Sequence, residues 1–595
     1  MQSRRFSALV LTSFLYFSQV LGQASQSLNS TFYNPIIPGF HPDPSCIFVP
    51  EWDSTFFCAS SSFNAFPGIP LHASKDLQNW KLIGHALNRR AQLPRLAETN
   101  RSTSGIWAPT LRYHDKAFWL LTTLVDDEKD AADASRWDNI ILKAKDPFDP
   151  ASWSDAIHFE FEGYDPEPFW DEGKTYITGA HAWKVGPWIQ QTEANLETGE
   201  VGEWKTIWNG TGGMAPEGPH IYRKDGFFYL LAAEGGTGLG HMVTIARSKS
   251  VDGPYESNPA NPILTNTNTT NYFQTVGHAD LFQDASGNWW SVALATRSGP
   301  EWFHFPMVRE TVLTSATWEE GKWPHLTPIE GQMSGWKMPP ENLAIGGPGP
   351  WVSLGEVEGE VLDFASNSTL PAHLTHWRYP VETSYTISPP EHPNSLRLTP
   401  STLNLTALNG NYAGPEGQTF IGRRQQDTLF TYSVVVDFAP TVEEEEAGVS
   451  AFLTQNHHLD LGVVLLPANK STQAFPGQNL TAVEDAEKLR LHFRFRGMSY
   501  VPVPADMAAP VPDEWLGRPL RLEIKAANAT HYSFSAGPSD AASRMRTLLH
   551  ASNDALSWGF TGVFLGVYAT SNGGPGSTPA YVSDWKYLPQ GQFRN

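Results

Sequence analysis

The sequence predicts an all-β protein: a five-bladed β-propeller over residues 30–335, a linker over 336–355 and a β-sandwich over 356–595. Three observations predict it. One pattern recurs five times in the N-terminal half, and internal repetition is the strongest signal a sequence carries about architecture. The composition, with 49 Gly, 46 Pro and 12% aromatic residues, suits short strands joined by turns better than long helices. The C-terminal half carries apolar or alternating runs of strand length. At 595 residues the chain exceeds one ordinary core, so two domains are expected. Its 40% hydrophobic and 17% charged residues mark it as globular. A net charge of −21 repels phosphate backbones and anionic membranes, which argues against nucleic-acid or membrane partners.

Residues 1–22 read as a secretory leader. Arg4 and Arg5 precede an apolar run ending near Leu21, and Gly22 and Ala24 are small enough for a cleavage site. A secreted, extracellular protein is the expectation. Nine Asn-x-Ser/Thr triplets agree with it, at Asn29, Asn100, Asn209, Asn268, Asn367, Asn404, Asn469, Asn479 and Asn528. Cys46 and Cys58 are the only cysteines and sit on two apolar runs around the turn-like 50–54. They suit a hairpin with a cross-strand disulfide, or two buried thiols, since spacing alone does not fix the geometry.

The five repeats each pair an opening rich in Pro, Asp, Glu or His with an apolar strand, a polar turn and an aromatic strand. They open at residues 41, 107, 165, 217 and 278, about 60 apart, a spacing that suits a four-stranded propeller blade. The innermost strand of each blade lines the axis, so the openings converge although they are distant in sequence. Asp43, Asp165 and Glu217 then face one pocket. The Gly- and Pro-rich stretch after Gly331 reads as the linker. Beyond it, runs beginning at Leu429, Leu489, Leu520 and Phe560 read as sandwich strands. Glu443 to Glu446 read as a solvated loop.

Converging carboxyls suit glycosidic cleavage, which needs an acid for the leaving oxygen and a base or nucleophile on the opposite face. The two must hold different protonation states at one pH, and a third carboxylate beside the acid raises its pKa. Singly, each Asp-Pro is an ordinary turn; equivalent positions in a repeat make the set significant.

The segments Asn34-Pro-Ile-Ile-Pro-Gly-Phe-His-Pro-Asp43-Pro-Ser, Gly105-Ile-Trp-Ala-Pro-Thr, Gly163-Tyr-Asp165-Pro, Pro216-Glu217-Gly-Pro-His and Gly277-His-Ala-Asp, in that order, resemble glycoside hydrolase family 43. The resemblance implies a five-bladed propeller that hydrolyses arabinose- or xylose-containing plant polysaccharides with inversion. It makes Asp43 the general base, Glu217 the general acid and Asp165 the group that tunes and orients that acid. Five-bladed fructan hydrolases instead carry an Asn-Asp-Pro nucleophile and a Glu-Cys acid motif, both absent here.

By the same resemblance Trp107 is a sugar platform, Phe63 a pocket wall and Arg297 a donor to sugar hydroxyls; Thr237 and His241, in the Gly-rich stretch after Glu234, are read as rim residues without the resemblance. The bland alternatives are blade packing for Trp107 and Phe63 and an inter-blade ion pair for Arg297. His278 resembles the channel histidine beside which many members hold a hydrated calcium ion; no cofactor is otherwise required, and a hydrogen-bonded core histidine is the alternative. Gly422-Arg-Arg-Gln-Gln and Glu446-Ala-Gly-Val resemble the lectin-like sandwich of family β-xylosidases and some fungal arabinofuranosidases. The residues around Phe63, together with Tyr164, most resemble arabinoxylan arabinofuranohydrolases that remove 1,3-linked arabinose from doubly substituted xylose. The expectation is a monomer acting on plant cell-wall arabinoxylan or xylooligosaccharides. An exo-acting β-xylosidase is the second reading, and a non-catalytic carbohydrate-binding propeller the third.

Overall fold

Short apolar runs punctuated by turn residues fold into five antiparallel sheets of four or five strands in chain order, the five blades of a propeller. The computed structural model describes residues 29–352, 359–407, 417–478 and 486–595. The expected leader and Asn479 lie outside the described residues. The innermost strands are Ser45–Val49, Thr110–His114, Gly163–Asp171, Glu217–Lys224 and Phe273–Gln283. In blades two, three and four a two-residue hairpin follows. Asp225-Gly226, with φ of 52° and 72°, shows why such pairs recur: a two-residue hairpin whose twist matches its strands needs both residues left-handed.

Asn29–Tyr33 pairs with Gln332–Trp336, so the first and last strands of the propeller region bind one another. The stretch read as a linker is tied down at its far end, where Trp351–Val352 adds to the outer strand Trp80–Leu87 of blade one. Cys46 and Cys58 face each other across the first hairpin and form a disulfide.

The C-terminal part packs two large antiparallel sheets around one apolar core that includes Tyr432, Val449, Leu461, Phe493, Leu522 and Trp585. The strand Leu520–Ala526 alternates buried and half-buried residues, the signature of a sheet with one face in the core. One sandwich sheet does not stop at the domain boundary. Its strand Leu374–Trp377 pairs with the propeller dipeptide Ala65–Phe66, so hydrogen bonding runs from one domain into the other.

One expectation is corrected here. Glu443 is exposed, but Glu445 and Glu446 are buried. Glu446 opens a strand and holds the Arg494 guanidinium, with Tyr568 donating to its other oxygen at 2.9 Å. A run of like charges is solvated only where the backbone stays outside the sheet, and here the strand begins within the run. Among the described residues no helix is long and apolar enough to cross a membrane.

Candidate active site

The first strand of each blade starts at the same end of the propeller, and three of them start with a bulge. Register slips between Tyr164 and Glu167, between Glu217 and His220, and between Gly277 and Asp280. At these places Asp165 and His278 have φ of 54° and 50°, and Gly218, next to Glu217, has 55°. Asp43, just ahead of the first strand of blade one, has 50°. Left-handed backbone at a non-glycine residue costs about 1 kcal/mol or more, and a bulge turns a side chain out of the ladder. Pro44, Pro166 and Pro219 follow, and a residue without an N–H loses nothing where the ladder is interrupted. The Asp-Pro and Gly-Pro dipeptides of the repeat are therefore the chemistry of these bulges, and the side chains they redirect meet in one place.

That place is a small pocket lined by Asp43, Phe63, Trp107, Ala108, Tyr164, Asp165, Glu217, Thr237, His278, Arg309 and Phe560. Its walls are aromatic and its floor is polar, a distribution suited to a sugar. The three carboxyls differ in setting. Burial alone would raise the pKa of Asp43, but Arg309 Nη1 at 2.8 Å, the nearby His278 and the Ser61 hydroxyl at 2.5 Å outweigh it and hold the group below the usual range. Burial and then the charge of Asp43 push Glu217 up to about 7, against the Tyr164 hydroxyl at 3.1 Å and Arg309. Asp165 is raised by burial and by Glu217. It accepts the Gly218 N–H at 3.0 Å, as Glu217 accepts from Tyr164, and the two buried carboxyls share a proton. One carboxylate kept ionised and one carboxylic acid kept protonated near neutral pH are the two states general base and general acid require.

Of the other candidates, Trp107, Phe63, Thr237 and His278 lie on the pocket wall. Thr237 Oγ1 is buried there with no hydrogen-bond partner, as a group awaiting a ligand hydroxyl would be. His241 stands behind the wall; its Nδ1 meets the Thr275 carbonyl oxygen at 2.9 Å.

Arg297 is a correction. It is fully buried away from the pocket, gripping Glu310 through Nε at 2.6 Å and Nη2 at 2.9 Å and donating to the C-terminal Gln592 and Phe593. The arginine in the pocket is Arg309, next in sequence to that partner. The sequence analysis missed it because no motif surrounds it. Phe560 was missed because it comes from the other domain. Its carbonyl oxygen accepts from Arg309 Nε at 3.1 Å, so the sandwich both walls the pocket and aims its guanidinium.

Comparison with known proteins agrees with this geometry. Residues 32–324 match the model of glycosyl hydrolases family 43, and residues 361–588 that of the β-xylosidase C-terminal concanavalin A-like domain. A non-reducing end α-L-arabinofuranosidase of Bacteroides ovatus is 33% identical over 573 residues, 95% of this chain and 96% of that protein. The chain belongs to glycosyl hydrolase family 43. A β-xylosidase of Bacillus subtilis is 32% identical over 73% of this chain and 80% of its own. The solved structure of the Bacteroides ovatus xyloglucan-locus GH43B superposes with a TM-score of 0.78 at 32% identity, covering 94% of this chain and all of that one.

The family resemblance raised a hydrated calcium ion beside His278. Burial lowers the pKa of the histidine to about 4, and its Nδ1 lies 3.8 Å from Asp43 Oδ1. Among the described residues no group of three or more His, Cys, Asp or Glu could hold a metal. Below the pocket the channel carboxylates are already engaged. Arg112 donates to Asp280 and to Glu167, each at 2.7 Å, and meets His220 Nδ1 at 3.0 Å, while Ser45 donates to Asp280 at 2.7 Å. Each of these five residues comes from a different blade.

Proposed function

We propose that the protein is an exo-acting α-L-arabinofuranosidase that removes single arabinofuranosyl side chains, 1,3-linked on doubly substituted xylose, from arabinoxylan with inversion. The observation that carries the reading is a small pocket in which Asp43, its pKa held down by Arg309, and Glu217, its pKa pushed up to about 7, meet under aromatic walls. Asp43 takes a proton from a water as that water attacks the anomeric carbon. Glu217 gives its proton to the glycosidic oxygen on the other side. Arg309 holds Asp43 in its charged form, and Asp165 keeps Glu217 protonated and in place. The choice of arabinose rests on the relative matched along nearly its whole length, which is named for release of non-reducing end arabinofuranose. It also rests on Tyr164, whose hydroxyl touches the acid. Action outside the cell is part of the proposal: of the acceptor asparagines, Asn209, Asn268, Asn367, Asn469 and Asn528 are exposed.

A β-xylosidase is the second reading, favoured by the shorter match to proteins of that name. NMR analysis of products from wheat arabinoxylan and, separately, from xylobiose tests the two. Arabinose release with loss of the doubly substituted xylose signals and intact xylobiose is expected. Xylose from xylobiose with untouched branches would replace the first reading by the second.

A further inference from the structure

The pocket is small, so the rest of any polymeric substrate must lie outside it, and the two walls of the mouth continue outward as exposed aromatic surface. On the propeller side the wall residue Thr237 lies between Gly236 and Gly238. Gly238 runs so close to the Trp302 ring that a Cβ there would lie 3.2 Å from it. Trp302 is 36% exposed and its neighbour Phe303 56%. This turn is built at a cost. Trp302 and His304 both have left-handed backbone, with φ of 55° and 57°. The Trp302 ring stacks on Phe305 with centroids 5.8 Å apart, and the turn is pinned to the sandwich by His304 Nδ1 to Asn553 Oδ1 at 2.7 Å and Phe305 N–H to Ser557 Oγ at 2.8 Å.

Directly after that anchor comes Trp558, half-buried, two residues before the wall residue Phe560. Trp558 stacks on His457 at 4.6 Å and meets Tyr500 edge-on at 5.6 Å, and Tyr500 is 68% exposed. Large aromatics left this open beside a pocket mark a binding surface, since folding gains nothing by exposing them.

We propose that Trp302 and Phe303 from the propeller, with Trp558 and Tyr500 from the sandwich, form a two-domain platform for the β-1,4-linked xylose backbone that carries the scissile side chain. This rests on the proposed debranching reading and adds to it the surface that receives the aglycone. The occupant follows from the surface. It adjoins the pocket through Gly238 beside Thr237 and through Phe560, and flat aromatic rings match the apolar faces of pyranose units. A neutral polysaccharide also suits a protein of net charge −21, which would repel an acidic one.

Two measurements test it. Kinetics of Trp302→Ala and Tyr500→Ala are compared on arabinoxylan and on 4-nitrophenyl α-L-arabinofuranoside, whose aglycone is too short to reach the platform. The expected result is a loss of about tenfold in kcat/KM on the polymer, carried by KM, with the aryl glycoside unchanged and Trp302→Phe close to wild type. Equal losses on both substrates, or none on either, would overturn the platform. The second measurement is calorimetric binding of unbranched xylohexaose to Glu217→Gln, with and without Trp302→Ala. Weaker binding in the double variant supports the platform and unchanged binding overturns it. Because xylohexaose carries no arabinose, this holds even where the wild type fails on the aryl arabinofuranoside, a failure that would instead count against the debranching reading.

Discussion

At the scale of single residues, what matters is that neighbouring carboxyls are driven apart in acidity. The proposed mechanism needs Asp43 ionised and Glu217 protonated together. The rate should fall as pH rises through the Glu217 pKa of about 7, and fall again on acidification below the ordinary carboxylate range, where Asp43 takes up its proton. Asp165→Asn removes the negative charge beside the acid, so Glu217 loses its proton at lower pH and the basic limb of kcat/KM moves down. The acidic limb stays, because Arg309, His278 and Ser61 set it. A pH–rate profile of the variant checks this, and an unmoved basic limb would remove Asp165 as the tuning group. These three carboxyls were legible in the sequence because repetition gave them equivalent places. Arg309 was not. An arginine outside any repeat opening gives no sign of direction, and the alternation of one strand pair sends Arg297 into Glu310 while Arg309, beside Glu310, faces the pocket.

At the scale of elements, the bulges and the buried ion pairs do most to define the architecture. The strands themselves could be read from apolar runs and hairpin residues, since those signals are local. The burial of Glu446 could not, because its partner Arg494 lies two strands further along the chain and is reached only through sheet pairing. Removing one side of such a pair strands the other in an apolar setting. Arg494→Met should therefore lower stability by about 3–5 kcal/mol, while pairing it with Glu446→Gln should recover much of that loss. Chemical denaturation of the two variants measures it, and an unaffected single variant would show that Glu446 finds water instead.

At the scale of the whole molecule, the two domains make one working unit. The fold class of each half was legible from repeat and alternation. Their joining was not, since Ala65–Phe66 and Leu374–Trp377 pair across some 300 residues without any motif. Phe40, Phe63 and Ala65 of the propeller share an apolar cluster with Trp377, Phe420, Phe452 and Phe564 of the sandwich. A chain ended at residue 355 would expose that cluster and lose both Phe560 and the carbonyl that aims Arg309. It should be inactive and poorly soluble, and expression of that fragment beside the full chain, with turnover measured on an aryl glycoside, checks it. A soluble fragment with full activity would reduce the sandwich to an appendage.

The residues that Arg112 draws together beneath the pocket, one from every blade, have a consequence for traffic. With the axis stoppered from below, the cleft has a single door. On the proposed debranching reading, a monosaccharide cut from its chain is left at the closed end, behind the polymer that delivered it. The backbone must lift away before the freed sugar can leave, so every scission is a separate visit and the enzyme cannot glide along its substrate.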